Sequence, residues 1–234
     1  MLLEDTMSVA GRCLLPVIAW GVLATVSCSG SGSSEVAAQP EAGQGEKAET
    51  PRTPDEAKKI RMLRVLEGLP KPLTITSPAM QHHGTIPEKY TCDGSGVSPQ
   101  LDWQNPPEGT KSFALIVEDP DAAGGPGKSF VHWVVYDMPV DVLGIPEGVA
   151  ADPTLKSLKG AKQGKNDFGS IGWGAPCPPP GGPAKGHRYL FRLYALDAMI
   201  EVAPGATRIE SEKEMKGHVI GQTGILATYA RKAK

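Results

Sequence analysis

The chain has 234 residues, with 24 Lys plus Arg against 26 Asp plus Glu and a formal net charge of −2. Its basic residues are scattered rather than striped, which argues against a nucleic-acid partner. The 28 Gly and 22 Pro punctuate the apolar segments so often that the chain reads as short strands rather than long helices.

Residues 1–27 read as an export signal. Arg12 precedes an apolar run, Leu14 to Val26, which is short for a membrane span and ends at Ser27-Cys28 followed by Ser and Gly. Small residues before a cysteine predict a bacterial lipoprotein signal, with Cys28 lipidated as the new N-terminus. Ordinary signal cleavage between residues 24 and 29 is the alternative. Residues 28–52 contain almost no large apolar side chain, so they cannot bury enough surface to fold and are expected to form a flexible tether. Over residues 53–68, Thr53 and Glu56 have capping-box spacing around Pro54. Ala57, Ile60, Leu63 and Leu66 recur at helical spacing, and Gly68 supplies a stop, which together predict a short amphipathic helix.

Residues 72–234 form the folded domain, mainly β and large enough for one core. Strands are predicted at Leu73 to Thr76, Lys111 to Glu118, Phe130 to Tyr136, Arg188 to Leu196 and Gly224 to Tyr229, with one late helix at about Glu210 to His218 closed by Gly221. The strands beginning at Lys111 and Phe130 flank a loop rich in Gly, Pro and Asp and read as a hairpin. Within it, Ala122 to Ser129 imitates a phosphate loop. A strand-like sequence follows where such a loop requires a helix, so no nucleotide site is assigned. The alternation from Arg188 to Leu196 predicts a strand buried on both faces, with Tyr189, Phe191 and Leu193 on one side and Arg188, Leu190, Arg192 and Tyr194 on the other.

Three residues stand out as carriers of chemistry. Closing the hairpin brings Asp119 level with the start of the next strand, where His132 sits. His187 opens the later strand, so all three lie at strand ends beside Gly- and Pro-rich loops. His82, His83 and His218 are read as surface or capping residues. No zinc spacing links them, and neither a metal nor a cofactor is expected. Cys13 falls in the signal and Cys28 at its end, which leaves Cys92 and Cys177 as a candidate disulfide in an exported chain, two unpaired buried thiols being the alternative.

Six ordered motifs carry a further resemblance: YTCDG from Tyr90, SPQLDW from Ser98, EDPDA from Glu118, FVHWVVYDMP from Phe130, GKNDFG from Gly164 and PCPPPGGPAKGHRYLFRLYALD from Pro176. Together they resemble the phosphatidylethanolamine-binding protein family, in its bacterial Raf-kinase-inhibitor-like branch, from Leu73 to the C-terminus. The resemblance implies two antiparallel sheets with a Greek key, few short helices, and a small pocket at a sheet edge. That pocket holds phosphate, acetate or a phospholipid head group. Motif by motif, it implies a ligand-binding set of Asp119, His132, His187, Arg188 and Tyr189, with Pro178 and Pro179 as the Pro-rich wall.

The function expected is therefore non-enzymatic binding of a small anion or phosphorylated head group by a domain in the bacterial cell envelope, lipid-anchored or periplasmic. Two imidazoles donating N–H groups, one of them fixed by the Asp119 carboxylate, would hold the anion. A hydrolase using Asp119, His132 and His187 is the first alternative. It has no GxSxG nucleophile and no HExxH metal motif. Inhibition of a protease or kinase through protein contact is the second, and no residue specifies it.

Overall fold

The computed structural model describes residues 53–67, 70–122, 128–183 and 186–232. The expected signal, Cys28, the tether and Gly68 lie outside the described residues, as do residues 123–127 of the hairpin loop and the side chains of Ile60, Leu63 and Leu66. Helix α1 (Pro54–Glu67) opens on the predicted capping box. The Thr53 amide donates to Glu56 Oε2 at 3.0 Å and the Glu56 amide to Thr53 Oγ1 at 3.1 Å. Among the described residues no helix is long and apolar enough to cross a membrane.

The strands are β1 (Thr74–Thr76), β2 (Leu101–Gln104), β3 (Ser112–Asp119), β4 (Phe130–Pro139), β5 (Gly144–Ile145), β6 (Thr154–Leu155), β7 (Ala161–Gln163), β8 (His187–Leu196) and β9 (Val219–Tyr229). They form two antiparallel sheets, ordered β1-β2-β5 and β6-β7-β4-β3-β8-β9. In the large sheet β7, β4 and β3 lie side by side and β8 returns beside β3, a Greek-key arrangement in which β5 and β6 intervene in the chain between β4 and β7. Sequence reading did not find β2, β5, β6 and β7. Three of these four have two or three residues, too few to show a period.

One core lies between the sheets. Ile75, Leu101, Trp103 and Ile145 from the small sheet meet Phe113, Leu115, Val117, Trp133, Phe191 and Leu193 from the large one. Each large side chain fully buried here contributes about 1.5–3 kcal/mol. The opposite face of the large sheet carries a second cluster, in which Ala114, Ile116, Val134 and Tyr136 are covered by Ile200, Val202, Ala206 and Met215. Both faces of β3 are thus covered, and all eight of its residues are buried.

Strand β8 departs from its expected burial. Tyr189, Phe191 and Leu193 are buried, but Arg188 and Arg192 are exposed and Leu190 and Tyr194 half-buried. The outer face of β8 is covered only in part because α2 and the chain before it lie chiefly over β3 and β4. Helix α2 (Arg208–Met215) begins and ends earlier than the sequence implied. Thr207 and Glu210 form a capping box. Gly217, at φ 88°, follows the helix end. Gly221 instead lies within β9, opposite Ala195.

Candidate functional site

β3 delivers two adjacent carboxylates to opposite faces of the large sheet. Its period of two puts Phe113, Leu115 and Val117 on the inter-sheet face, and Asp119 ends that row. In β8, His187 precedes Tyr189 and Phe191 on the same face. Gly186 makes this possible. At φ 69° it is left-handed, and a Cβ there would stand 2.2 Å from the Tyr229 carbonyl oxygen. The outcome is an ion-pair geometry, with the His187 Nδ1–H donating to Asp119 Oδ2 at 2.8 Å.

His132 reaches the same place by an irregularity. Val117 pairs with Trp133 and Glu118 pairs with Val131, so His132 is the extra residue of a β-bulge. A regular strand would send His132 and Trp133 to opposite faces. The bulge turns both toward the inter-sheet side, where His132 meets the Tyr189 ring at 5.2 Å and Trp133 joins the core. The His132 Nδ1–H donates to the Gly174 carbonyl at 2.7 Å. Burial pushes its pKa below the usual imidazole value, opposed by the Gly174 bond and the Asp119 charge.

These side chains line a cavity of 330 Å³. Its polar edge is Asp119, His132, His187 and Tyr189. Its apolar part is Ala122, Phe130, Phe168, Cys177, Pro178 and Pro179. The Asp119 carboxylate also accepts the amides of Asp121 and Ala122 through Oδ1, at 2.8 and 2.9 Å, which ties the loop start to the pocket. The Tyr189 hydroxyl is pushed up by burial and then by the Asp119 charge, so it stays a hydrogen-bond donor. Among the described residues no Lys or Arg lines the cavity.

Arg188 corrects the expected ligand set. It sits on the far face of β8, and its guanidinium grips Asp121 through Nε at 2.9 Å and Nη2 at 2.7 Å. This pairing holds the Asp121 carboxyl below the usual range. The two aspartates of EDPDA therefore do different jobs: Asp119 faces the cavity, and Asp121 fastens the start of β8. Sequence reasoning also missed Phe130 and Phe168. Phe130 is two residues before His132, a spacing that shares a strand face and could have shown it. Phe168 lies in the GKNDFG loop and carries no local signal of its own.

The Pro-rich wall is anchored on one side by a disulfide between Cys92 and Cys177, with Cα atoms 5.3 Å apart. The Cys92 amide also donates to the Pro176 carbonyl at 3.1 Å. Cys177 faces the cavity, while Cys92 lines a neighbouring cleft with Pro180 and Tyr229. His82, His83 and His218 are exposed and away from the cavity. Among the described residues no group of three or more His, Cys, Asp or Glu could hold a metal ion.

Comparison with known proteins agrees with this architecture. The sequence model described as phosphatidylethanolamine-binding protein matches residues 76–230. A UPF0098 protein of Methanothermobacter thermautotrophicus is 42% identical over 159 residues, covering 68% of this chain and 99% of its own length. One from Aquifex aeolicus is 42% identical over 160 residues, covering 68% and 89%. Among solved structures, YbcL of Escherichia coli, described as a member of the mammalian PEBP family, superposes with a TM-score of 0.63 at 33% identity, covering 69% of this chain and 100% of its own. A phosphatidylethanolamine-binding protein homologue from Chlamydia trachomatis gives a TM-score of 0.58 at 36% identity, with coverage of 68% and 97%. The matched span holds the whole large sheet, the small sheet from Thr76 onward, the bulged His132 and the described lining of the cavity, and the chain belongs to the phosphatidylethanolamine-binding protein family.

Proposed function

We propose that the domain binds a small anion, or the anionic end of a phosphorylated head group, in the cavity bounded by Asp119, His132 and His187, without catalysing its conversion. Binding a ligand without chemistry is the general behaviour of the family. One observation carries the reading. Both imidazoles commit Nδ1 to a protein acceptor, which leaves Nε2 of each ring as its free polar atom at one cavity.

That geometry refines the expected chemistry. With Nδ1–H already donated, a neutral ring offers Nε2 only as an acceptor, so it donates to an anion only once protonated. A monoanion that retains a proton fits best, donating to one Nε2 and accepting from the other ring as imidazolium. The Asp119 carboxylate, 2.8 Å from His187 Nδ1, fixes which nitrogen of that ring is left for the ligand. Binding should tighten as pH falls, by at most about tenfold per pH unit for one coupled proton.

Calorimetric titration with O-phosphoethanolamine in a phosphate-free buffer tests this. His187→Ala and Asp119→Ala should each weaken binding by about tenfold or more, roughly 1.4 kcal/mol, since each removes a charge-assisted contact or its support. Unchanged isotherms in both variants would remove the cavity from the function.

We further propose that Cys28 is lipidated and holds the domain at the bacterial envelope. The support is the sequence alone: an apolar run ending in small residues and Cys28. Labelled palmitate should enter the wild type in a lipoprotein-competent bacterium and be absent from Cys28→Ser, because acyl chains supply the membrane affinity. An unlabelled wild type recovered free in the periplasm would favour ordinary signal cleavage.

A further inference from the structure

The GKNDFG loop is built rigidly yet presents an aromatic ring to water. Asn166, 3% exposed, accepts the amides of Phe168 and Ser170 through Oδ1, both at 3.1 Å, and donates through Nδ2 to the Gly172 carbonyl at 2.9 Å. Asp167 and Val131 exchange two bonds, Asp167 N to Val131 O at 2.9 Å and Val131 N to Asp167 Oδ2 at 2.7 Å. The loop is thereby fixed to β4 beside His132. The Phe168 ring lies across Gly174, where a Cβ would come within 2.5 Å of Cδ2. Phe168 as a residue is nonetheless 52% exposed. Its polar framework is satisfied without it, and its contacts run toward the cavity, to Phe130 at 4.8 Å and His132 at 5.5 Å, both edge-to-face.

The rest of the cavity asks for the same kind of ligand. Among the described residues, six of the ten that line it are apolar and none is a Lys or Arg that could neutralise a dianion. A bare phosphate would meet two imidazoles and leave most of the wall unused. An anion with a flat apolar substituent would place its charge at Nε2 of the histidines and cover the exposed face of Phe168. We propose that Phe168 is a specificity-determining residue, which selects phosphomonoesters and related monoanions that carry an apolar, aryl-sized substituent over bare phosphate and over polar head groups. This inference rests on the anion-binding reading and narrows its ligand class.

Titrating the intact chain with inorganic phosphate, O-phosphoethanolamine and phenyl phosphate at one pH tests it. Phenyl phosphate should bind about tenfold tighter than either of the others, as expected when an aromatic face is covered. Phe168→Ala should remove that advantage, bringing phenyl phosphate down to the affinity of inorganic phosphate for the same variant, with Phe168→Leu falling between. The wild-type ranking stands without any variant, so a poorly folded Phe168→Ala does not spoil the test. If the three probes bind alike, or if phosphoethanolamine leads, the proposal falls and anion binding survives. The proposal also falls if a folded Phe168→Ala weakens all three equally. If none binds, the anion reading falls and takes this one with it.

Discussion

Glu118 and Asp119 are consecutive, both almost fully buried, and treated in opposite ways. Glu118 faces α2 and is enclosed by two guanidinium groups, Arg192 at 2.9 Å and Arg208 at 2.6 Å. Both partners present planar guanidinium forks of N–H donors to the carboxylate. Asp119 faces the cavity, where it meets the imidazole of His187 at 2.8 Å and the Tyr189 hydroxyl rather than a guanidinium. The first site is saturated and joins α2 to the sheet. The second keeps its polar capacity unfinished, with Nδ1 of each histidine committed and Nε2 left over, which is what sets the proposed binding site apart from a clamp built of similar residues.

Substitutions can separate the two. Glu118→Gln should have the larger effect on stability, about 1–3 kcal/mol, because it leaves two guanidinium groups facing a neutral amide. The partial exposure of Arg192 and Arg208 keeps the loss toward the low end. The same variant should bind O-phosphoethanolamine like the wild type, measured by urea unfolding and calorimetry on one preparation. A Glu118→Gln protein of unchanged stability and weakened binding would erase the distinction between clamp and site.

How far the sequence reveals this site depends on period. Asp119 and His187 were legible because each ends a regular alternating row, so counting by twos carries them to the inter-sheet face. His132 was found as a residue at a strand start, but its orientation was not, since a bulge breaks the count between Val131 and Trp133. The Arg188 assignment failed for the converse reason: as neighbour to His187 in a regular strand it must face the other way. The donor role expected of both imidazoles was also incomplete, because the Gly174 carbonyl that occupies His132 Nδ1 comes from a loop 42 residues away. No local pattern encodes that contact. Cys92 and Cys177 were legible as the two cysteines beyond the predicted signal, and the structure joins them.

The smallest expected effect probes His132 itself. In the folded state burial lowers its affinity for a proton, while in the unfolded chain the ring is solvated and titrates near 6.5. Between the folded and unfolded values the unfolded state holds more protons, so stability rises with pH across that window. The contribution of a neutral buried ring is complete above about pH 6.5 and is lost as pH falls through the folded value. Unfolding midpoints of the wild type in phosphate-free buffer should therefore drop below pH 6.5 more steeply than those of His132→Gln, whose amide does not titrate. Parallel profiles would mean that His132 is not held neutral. Saturating phenyl phosphate should flatten the wild-type slope, because an anion beside Nε2 favours the imidazolium and returns the proton affinity that burial removed. Flattening in the wild type but not in His132→Gln would tie the proton to the ligand site rather than to the fold.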